Sequence, residues 1–185
     1  TPSDALDVLH RWNVATPDSI MVALSRPSGV IRPGDPRLSR VENVIYAAPA
    51  QSLRAAATMA EQAGCEVRLL GDAVEGEARK VAADQAAEAL HLKGSRRIGD
   101  PPLLLLSGGE LTVTRRGQGV GGPNAEFCLA LALALNGADG IHAIACDTDG
   151  VDGAAEVAGA LVTPHTLHLA HAAGLDPAHA LATNA

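Results

Sequence analysis

The stretch from Leu103 to Glu126 constrains the fold more than any other part of the chain. Four consecutive leucines precede Ser107-Gly108-Gly109-Glu110, a pattern typical of a buried strand that ends in a turn. Glycine suits such a turn because it adopts left-handed backbone conformations at little steric cost. Open α/β sheets bind their ligands at the carboxyl ends of strands. The pattern therefore predicts a ligand-binding loop after a central strand.

A second glycine-rich run, Gly117 to Asn124, leads directly into a helical segment rich in alanine and leucine. A helix that begins there offers backbone N–H groups and a positive dipole end to an anion, such as a phosphate or a carboxylate. Neither nucleotide fingerprint is present, since no lysine follows the glycines and their spacing only approximates G-x-G-x-x-G. A tight connection that binds no ligand stays open as the alternative.

The segment Leu129 to Leu135 alternates leucine with alanine, which is the period of a strand. Its residue types nevertheless favour a helix, because alanine and leucine have the highest helix propensities. Pro123 also fits the first turn of a helix. We therefore predict a helix that is buried around most of its circumference.

Strands and helices alternate along the rest of the chain, which predicts an α/β fold with a mixed, mainly parallel sheet flanked by helices in Rossmann-like layers. Residues 1–40 are expected to be a helical segment followed by a Pro/Gly linker, and 41–185 an α/β domain, one of two in the whole protein. The predicted strands are Asn43–Ala48, Cys65–Leu70, Pro101–Leu106, Leu111–Arg115 and Gly140–Cys146. The predicted helices are Asp4–Trp12, Asp18–Leu24, Ala50–Ala63, Gly76–Leu92, Pro164–Ala173 and Pro177–Ala182.

An acidic loop, Asp147 to Gly153, follows the predicted strand Gly140–Cys146. Its carboxylates could hold a hard divalent cation or accept a proton from a hydroxyl group. The spacing is not that of an EF-hand, and a turn in which Asp and Gly bond their own backbone stays open. The acidic loop and the loop at Ser107-Gly108-Gly109-Glu110 each follow a predicted buried strand. We therefore expect these two loops to open at the same edge of the sheet.

Charge and hydropathy limit the partners that such a chain could have. The net charge of −7, with 14 scattered lysines and arginines, argues against binding to nucleic acid. No apolar stretch reaches the roughly 20 residues that a membrane helix needs. Three cysteines without metal-ligand spacing indicate reduced thiols and a cytoplasmic protein. The chain lacks an initiator methionine and a closing element, so we expect it to be part of a longer protein.

Several ordered motifs together resemble one family. They are Ser107-Gly108-Gly109-Glu110, Gly121 to Phe127, Asp147 to Gly153 and Ala158-Gly159-Ala160. They are similar to those of the glycerate 2-kinase family, whose members are often named hydroxypyruvate reductases and whose carboxyl-terminal module is called MOFRL. The MOFRL-like region begins at about residue 101. Ala125 departs from the family, which usually has glutamine there, and the family's large amino-terminal domain and closing Thr/Gly-rich segment are absent.

The resemblance implies ATP-dependent phosphorylation of D-glycerate to 2-phosphoglycerate, with Mg²⁺. It also implies a site between two domains, so this chain would form one wall and the missing amino-terminal domain of the same protein the other. The implied catalytic residues are Asp147, Asp149 and Arg115, with Arg116 as an alternative to Arg115, and the two aspartates are also the implied metal ligands. The residues implied to bind substrate or phosphate are Ser107, Gly108, Gly109, Glu110, Gly121, Gly122 and Asn124.

Two other interpretations remain open. One is a hydroxypyruvate reductase that uses NAD(P)H, which the family's second name suggests and the poor dinucleotide fingerprint weakens. The other is an α/β binding or assembly module without activity of its own when isolated. A homo-oligomer is possible under each interpretation.

Overall fold

The computed structural model describes residues 1–184, which form seven α-helices, a short 3₁₀ helix and four strands. The chain divides into two compact units, Thr1–Tyr46 and Ala47–Ala185. Among the described residues, no helix is long and apolar enough to cross a membrane. The helices are α1 (Pro2–Arg11), α2 (Asp18–Leu24), α3 (Pro49–Gln62), α4 (Ala78–Ser95), α5 (Pro123–Leu135), α6 (Thr166–Ala172) and α7 (Pro177–Thr183), and the strands are β1 (Glu66–Glu77), β2 (Leu103–Thr112), β3 (Ala143–Cys146) and β4 (Gly159–Val162).

The first unit contains α1 and α2, as predicted, and the 3₁₀ helix Pro36–Leu38. A reciprocal capping box begins α1, in which the Thr1 hydroxyl accepts from the Asp4 amide and the Asp4 carboxylate accepts from the Thr1 amino group. This pair satisfies donors that a helix start leaves without internal partners. Neither helix buries a residue.

The predicted strand Asn43–Ala48 is absent from the structure. Val44, Ile45 and Tyr46 are 68%, 81% and 89% exposed. β-branched and aromatic residues favour a strand mainly through packing against cross-strand neighbours. No strand among residues 1–184 pairs with this segment, so the prediction was wrong because it rested on residue type alone.

In the second unit β1 and β2 form a parallel pair that runs from Glu66↔Leu103 to Glu77↔Thr112. The extent of these two strands contradicts three predictions from the sequence. Ser107-Gly108-Gly109 lies within β2 rather than in a turn, the predicted strand Leu111–Arg115 begins as the end of β2, and the predicted helix start at Gly76 is still part of β1.

Gly109 explains why a glycine stands inside β2. It pairs with Val74, and a Cβ on Gly109 would lie only 2.0 Å from the carbonyl oxygen of Val74. Glycine in a strand often marks such a close approach of two backbones. The glycine therefore serves the contact between the strands and not a reversal of the chain.

Strands β3 and β4 form a separate antiparallel pair, from Ala143↔Val162 to Cys146↔Gly159. The prediction of a buried strand at Gly140–Cys146 is correct for the strand but wrong for its burial. Ala143 and Ala145 pack against the core, whereas the alternate residue Ile144 is 67% exposed. An antiparallel pair commonly has only one face covered.

The core of the second unit forms where α4 meets α5 and β4. Ala78, Ala82 and Ala86, spaced by one helical turn, are at most 1% exposed, and this small-residue face packs in the same cluster as Phe127 and Leu131. Alanines permit two helices to approach closely, at the packing density usual for protein interiors. The α/β class and the buried Leu/Ala helix are confirmed.

Candidate active site at the glycine-rich and acidic loops

The site is built around the start of α5. Gly122 is the N-cap residue of α5 and has no side chain to bond the first amides of the helix. The Asp152 carboxylate does so instead: its Oδ1 accepts from the backbone amide of Asn124 at 2.9 Å and its Oδ2 from that of Ala125 at 2.7 Å. Asp152 is 0% exposed. A residue of the acidic loop therefore caps the helix that follows the glycine-rich loop.

Two glycines allow this contact between the loops. A Cβ on Gly122 would lie 2.4 Å from Oδ1 of Asp152. A Cβ on Gly153 would lie 2.8 Å from the Cα of Gly122, and Gly153 has a φ of +65°, which side-chain-bearing residues seldom adopt. Any larger residue at either position would push the two loops apart.

The start of α5 does not offer free amides to a substrate anion, contrary to the prediction from the sequence. The amides of Asn124 and Ala125 are bonded to Asp152, and Pro123 has no amide hydrogen. The missed signal was the N-cap glycine, since a helix start without a capping side chain needs acceptors from elsewhere. The proposed contacts of Gly121 and Gly122 with phosphate stay predictions.

Asn124 joins the two loops through its side chain. Its Nδ2 donates to Asp152 Oδ1 at 3.2 Å and lies 3.4 Å from Asp147 Oδ2. Two residues that the sequence assigned to the site, Asn124 and Asp147, are thus in contact. Asp149 instead accepts from the amide of Val151 within its own loop at 3.0 Å, a local turn of the kind that aspartate commonly forms.

The carboxylates fit one kind of magnesium site. No group of three or more His, Cys, Asp or Glu residues that could hold a metal occurs in residues 1–184. Both oxygens of Asp152 are bonded to amides, which leaves Asp147 and Asp149, two residues apart in the sequence, as the available ligands. Mg²⁺ is commonly bound by one or two carboxylates together with substrate phosphates. The donor set therefore suits a metal that arrives with a nucleotide rather than a metal held by protein ligands alone.

A cleft of about 840 Å³ adjoins these residues. Its walls include Ser107, Gly108 and Gly109 of β2, Asn124 at the start of α5, and Cys146, the residue before Asp147. The Ser107 hydroxyl accepts from Gln85 Nε2 at 3.4 Å, and Glu110 is exposed at the surface. The cleft therefore brings the Ser107-Gly108-Gly109 stretch and Asn124 to one side of the second unit.

The arginines before the glycine-rich loop bond to nearby chain. Arg115 Nε donates to the carbonyl oxygen of Gly117 at 3.2 Å. The amide of Arg116 donates to Asn184 Oδ1 at 2.6 Å. Gly117 itself lies against α7, since a Cβ there would be 1.9 Å from the carbonyl oxygen of Thr183. The structure thus fixes the beginning of the loop, and the role of Arg115 in charge stabilisation stays a prediction.

A buried ion pair lies under the loop, and the sequence analysis did not foresee it. Arg79 of α4 donates from Nε and Nη2 to the two oxygens of Glu126 at 2.8 and 2.9 Å, and Nη2 also bonds the carbonyl oxygen of Leu181. Asn184 Nδ2 adds a bond to Glu126 at 2.7 Å. The hydrogen bonds to Glu126 raise the pKa of Arg79 above its ordinary value. The available signal was Glu126, the one charged residue in α5, because a buried charge normally requires a charged partner.

Comparisons with known proteins agree with this architecture. Residues 103–185 match the model of the MOFRL family. A protein of Agrobacterium vitis named as a hydroxypyruvate reductase is 41% identical over 179 residues, which cover 96% of this chain and 40% of the relative. The D-glycerate 2-kinase of Thermotoga maritima is 30% identical over 184 residues, which cover 100% of this chain and 43% of the relative.

A solved structure agrees with these sequence comparisons. The crystal structure of glycerate kinase from Thermotoga maritima superposes with a TM-score of 0.74 at 28% identity, over 99% of this chain and 43% of the other. The chain therefore spans less than half the length of these relatives. It belongs to the MOFRL-containing family whose members are named glycerate kinases and hydroxypyruvate reductases.

Proposed function

We propose that the protein containing this chain is a glycerate 2-kinase, which transfers a phosphoryl group from ATP to the 2-hydroxyl group of D-glycerate. The observation that carries the proposal is the contact between the glycine-rich and acidic loops, in which Asn124 lies between Asp147 and Asp152. Relatives named D-glycerate 2-kinase and glycerate kinase align with almost the whole chain. Phosphoryl transfer depends chiefly on positioning and charge stabilisation, which two loops joined by hydrogen bonds can supply.

Asp147 is the proposed acceptor of the hydroxyl proton or ligand of the metal. Its Oδ2 faces the Asn124 amide, and we expect Oδ1 to face the substrate. Asn124 would hold that carboxylate in one orientation. Mg²⁺ bound with ATP would neutralise phosphate charge, and Asp147 and Asp149 are the residues that would hold it here. General-base contacts of this kind typically contribute about 10²- to 10⁴-fold in rate.

The remaining site residues have proposed roles at the edges of the cleft. Ser107, Gly108 and Gly109 line it and would bind the carboxylate or phosphate through backbone and hydroxyl donors. Glu110 would orient the substrate from the exposed end of β2, and Arg115 would stabilise the transferring charge. The same proposal includes ATP as the phosphoryl donor and a cytoplasmic location. It also includes a second wall of the site formed by polypeptide outside this chain, because this chain spans 43% of the length of its kinase relative.

Reduction of hydroxypyruvate with NAD(P)H is the second candidate, which the name of the Agrobacterium relatives favours. A dinucleotide-binding fold places the cofactor pyrophosphate at a helix N-terminus after a glycine-rich turn. In this chain the corresponding amides of α5 are bonded to Asp152. The start of α5 is therefore not free to bind a dinucleotide pyrophosphate, which weighs against the reductase.

One pair of assays tests the proposal on the full-length protein. The first measures glycerate-dependent ADP release with ATP and Mg²⁺, and the second measures hydroxypyruvate-dependent oxidation of NADH and NADPH. We expect turnover in the first assay and none in the second. Turnover only in the second assay would replace the kinase proposal with the reductase.

A further inference from the structure

We propose that Asp152 is a positioning residue that locks the glycine-rich loop to the acidic loop and so sets the geometry of Asn124 and Asp147. This inference rests on the proposed function, since it assigns Asn124 and Asp147 to the reacting groups. It gives the third aspartate of the acidic loop a role different from those of Asp147 and Asp149. Asp152 contacts neither metal nor substrate in this assignment.

One oxygen of Asp152 holds both the backbone and the side chain of Asn124. Oδ1 of Asp152 accepts both from the backbone amide of Asn124 at 2.9 Å and from its Nδ2 at 3.2 Å. Two bonds from one residue to one atom leave the Asn124 side chain little rotational freedom. The same Nδ2 is then directed to Asp147 Oδ2 at 3.4 Å.

The charge of Asp152 is compensated by the protein itself. Asp152 is 0% exposed, and a buried carboxylate is costly unless donors compensate its charge. Its compensation comes from three N–H groups and from the positive end of α5. These are neutral donors that belong to the protein, so the group is satisfied without a metal ion. Its function is therefore to hold the two loops together.

Asp152 would be coupled to the reaction through Asn124. Displacement of reacting groups by about 1 Å can cost roughly 100-fold in rate. If Asp152 acts through Asn124, its loss should lower kcat for glycerate phosphorylation about 100-fold while KM for glycerate changes little. A capping residue that stabilises only the helix would lower the melting temperature and leave kcat almost unchanged.

The decisive variants are Asp152→Asn and Asp152→Ala in the full-length protein. Asparagine keeps one acceptor for Asn124 but turns an NH₂ group toward the amide of Ala125, so we expect an intermediate loss of kcat. The matched control is Asp176→Ala, because Asp176 caps α7 by accepting from the amides of Ala178 and His179 at 3.0 Å each. We expect this control to lower the melting temperature and to keep kcat within about twofold, as expected for an ordinary helix cap.

A double-mutant cycle tests whether the effect passes through Asn124. In the Asn124→Ala background, Asp152→Asn should change kcat by less than about threefold, because the residue that it positions is gone. A full additional loss in that background would overturn the proposal. An unchanged kcat in both single Asp152 variants would overturn it as well.

Hydrogen–deuterium exchange separates this inference from the proposed function. The backbone amides of Asn124 and Ala125 should exchange slowly in the wild type. The Ala125 amide should exchange at least about 10-fold faster in Asp152→Asn, and both amides should do so in Asp152→Ala, as expected when local opening becomes easier. Unchanged exchange would disprove the lock whatever the enzyme does. A wild type with slow exchange but no glycerate-dependent ADP release would leave the lock intact and refute the kinase proposal instead. If Asp152→Ala does not fold, the kcat and the Ala125 amide exchange rate of Asp152→Asn test the proposal.

Discussion

At the scale of single residues, three glycines near the site serve close contacts rather than turns. Gly109, Gly117 and Gly122 each lie where a Cβ would come within 2.4 Å of another segment's backbone or side chain. These contacts join β2 to β1, the start of the glycine-rich loop to α7, and its end to the acidic loop. Glycine content near the site therefore reflects tight packing of the loops that bear the candidate residues.

Replacement of Gly109 should destabilise the protein strongly. In Gly109→Ala the new methyl group would collide with the carbonyl of Val74, and forced overpacking of this kind costs about 1–3 kcal/mol. Gly94→Ala is the control, because Gly94 lies in α4 with nothing within 4 Å of an added Cβ. Alanine in a helix should stabilise by about 0.5–1 kcal/mol. Urea denaturation of both variants measures the difference, and a stable Gly109→Ala would contradict the strand contact.

The three cysteines should differ in reactivity toward a thiol reagent in this chain. Cys128 is buried and donates to the carbonyl oxygen of Ala160, and burial raises the pKa of its thiol above the ordinary value. Its reactive thiolate form is therefore scarce at neutral pH. Cys146 is exposed and should be labelled first. Labelling of Cys128 should appear only with urea, and mass spectrometry of the labelled peptides identifies the site.

At the scale of elements, α5 is the piece that holds the site together. Its start is bonded to the acidic loop through Asp152, and its first turn is bonded to α4 through Arg79 and Glu126. Asn184, at the end of α7, bonds both Glu126 and the amide of Arg116. The glycine-rich loop is therefore held at both of its ends by residues distant in sequence.

Replacement of one partner of the Arg79–Glu126 pair should lower the free energy of unfolding more than replacement of both. The two side chains are 17% and 5% exposed, so Glu126→Gln leaves a mostly buried guanidinium without its counter-ion. Breaking a buried pair costs about 3–5 kcal/mol, and an apolar double replacement is often close to neutral. Partial exposure of Arg79 should reduce the single-variant cost to about 2–3 kcal/mol. Urea denaturation of Glu126→Gln and of Arg79→Met/Glu126→Leu measures the loss of free energy of unfolding in each. Equal losses in the two variants would contradict the prediction.

At the scale of the whole molecule, this chain presents one wall of the proposed site. The walls of its cleft come mainly from α4, β2, α5, β3 and β4, and the glycerate kinase structure that it matches is more than twice as long. In-line transfer needs donor and acceptor to be held from both sides. We therefore expect the proposed reaction to need polypeptide beyond these residues.

The chain expressed alone should fold but should not phosphorylate glycerate at a measurable rate. Its core of α4, α5 and β4 is formed within these residues, which supports folding of a domain of this size. A coupled ADP-release assay, with the full-length protein as the positive control, measures the activity. Circular dichroism of the same sample shows whether it is folded. A rate close to that of the full-length protein would place the entire site within this chain.

The sequence by itself determined most helices, the α/β class and the segments that carry the candidate residues. These follow from propensity and periodicity, which act over a few neighbouring residues. The tertiary structure decided that Gly108 and Gly109 belong to a strand, that residues 43–48 do not form one, and that Asp152 caps α5. The place of Gly109 in a strand depends on its pairing with Val74, and the cap of α5 joins Asp152 to an amide 28 residues away. Residues 43–48 lack such a distant partner among the strands that the structure describes. Local pattern shows that a helix start lacks a cap, but only the folded chain determines which distant carboxylate supplies it.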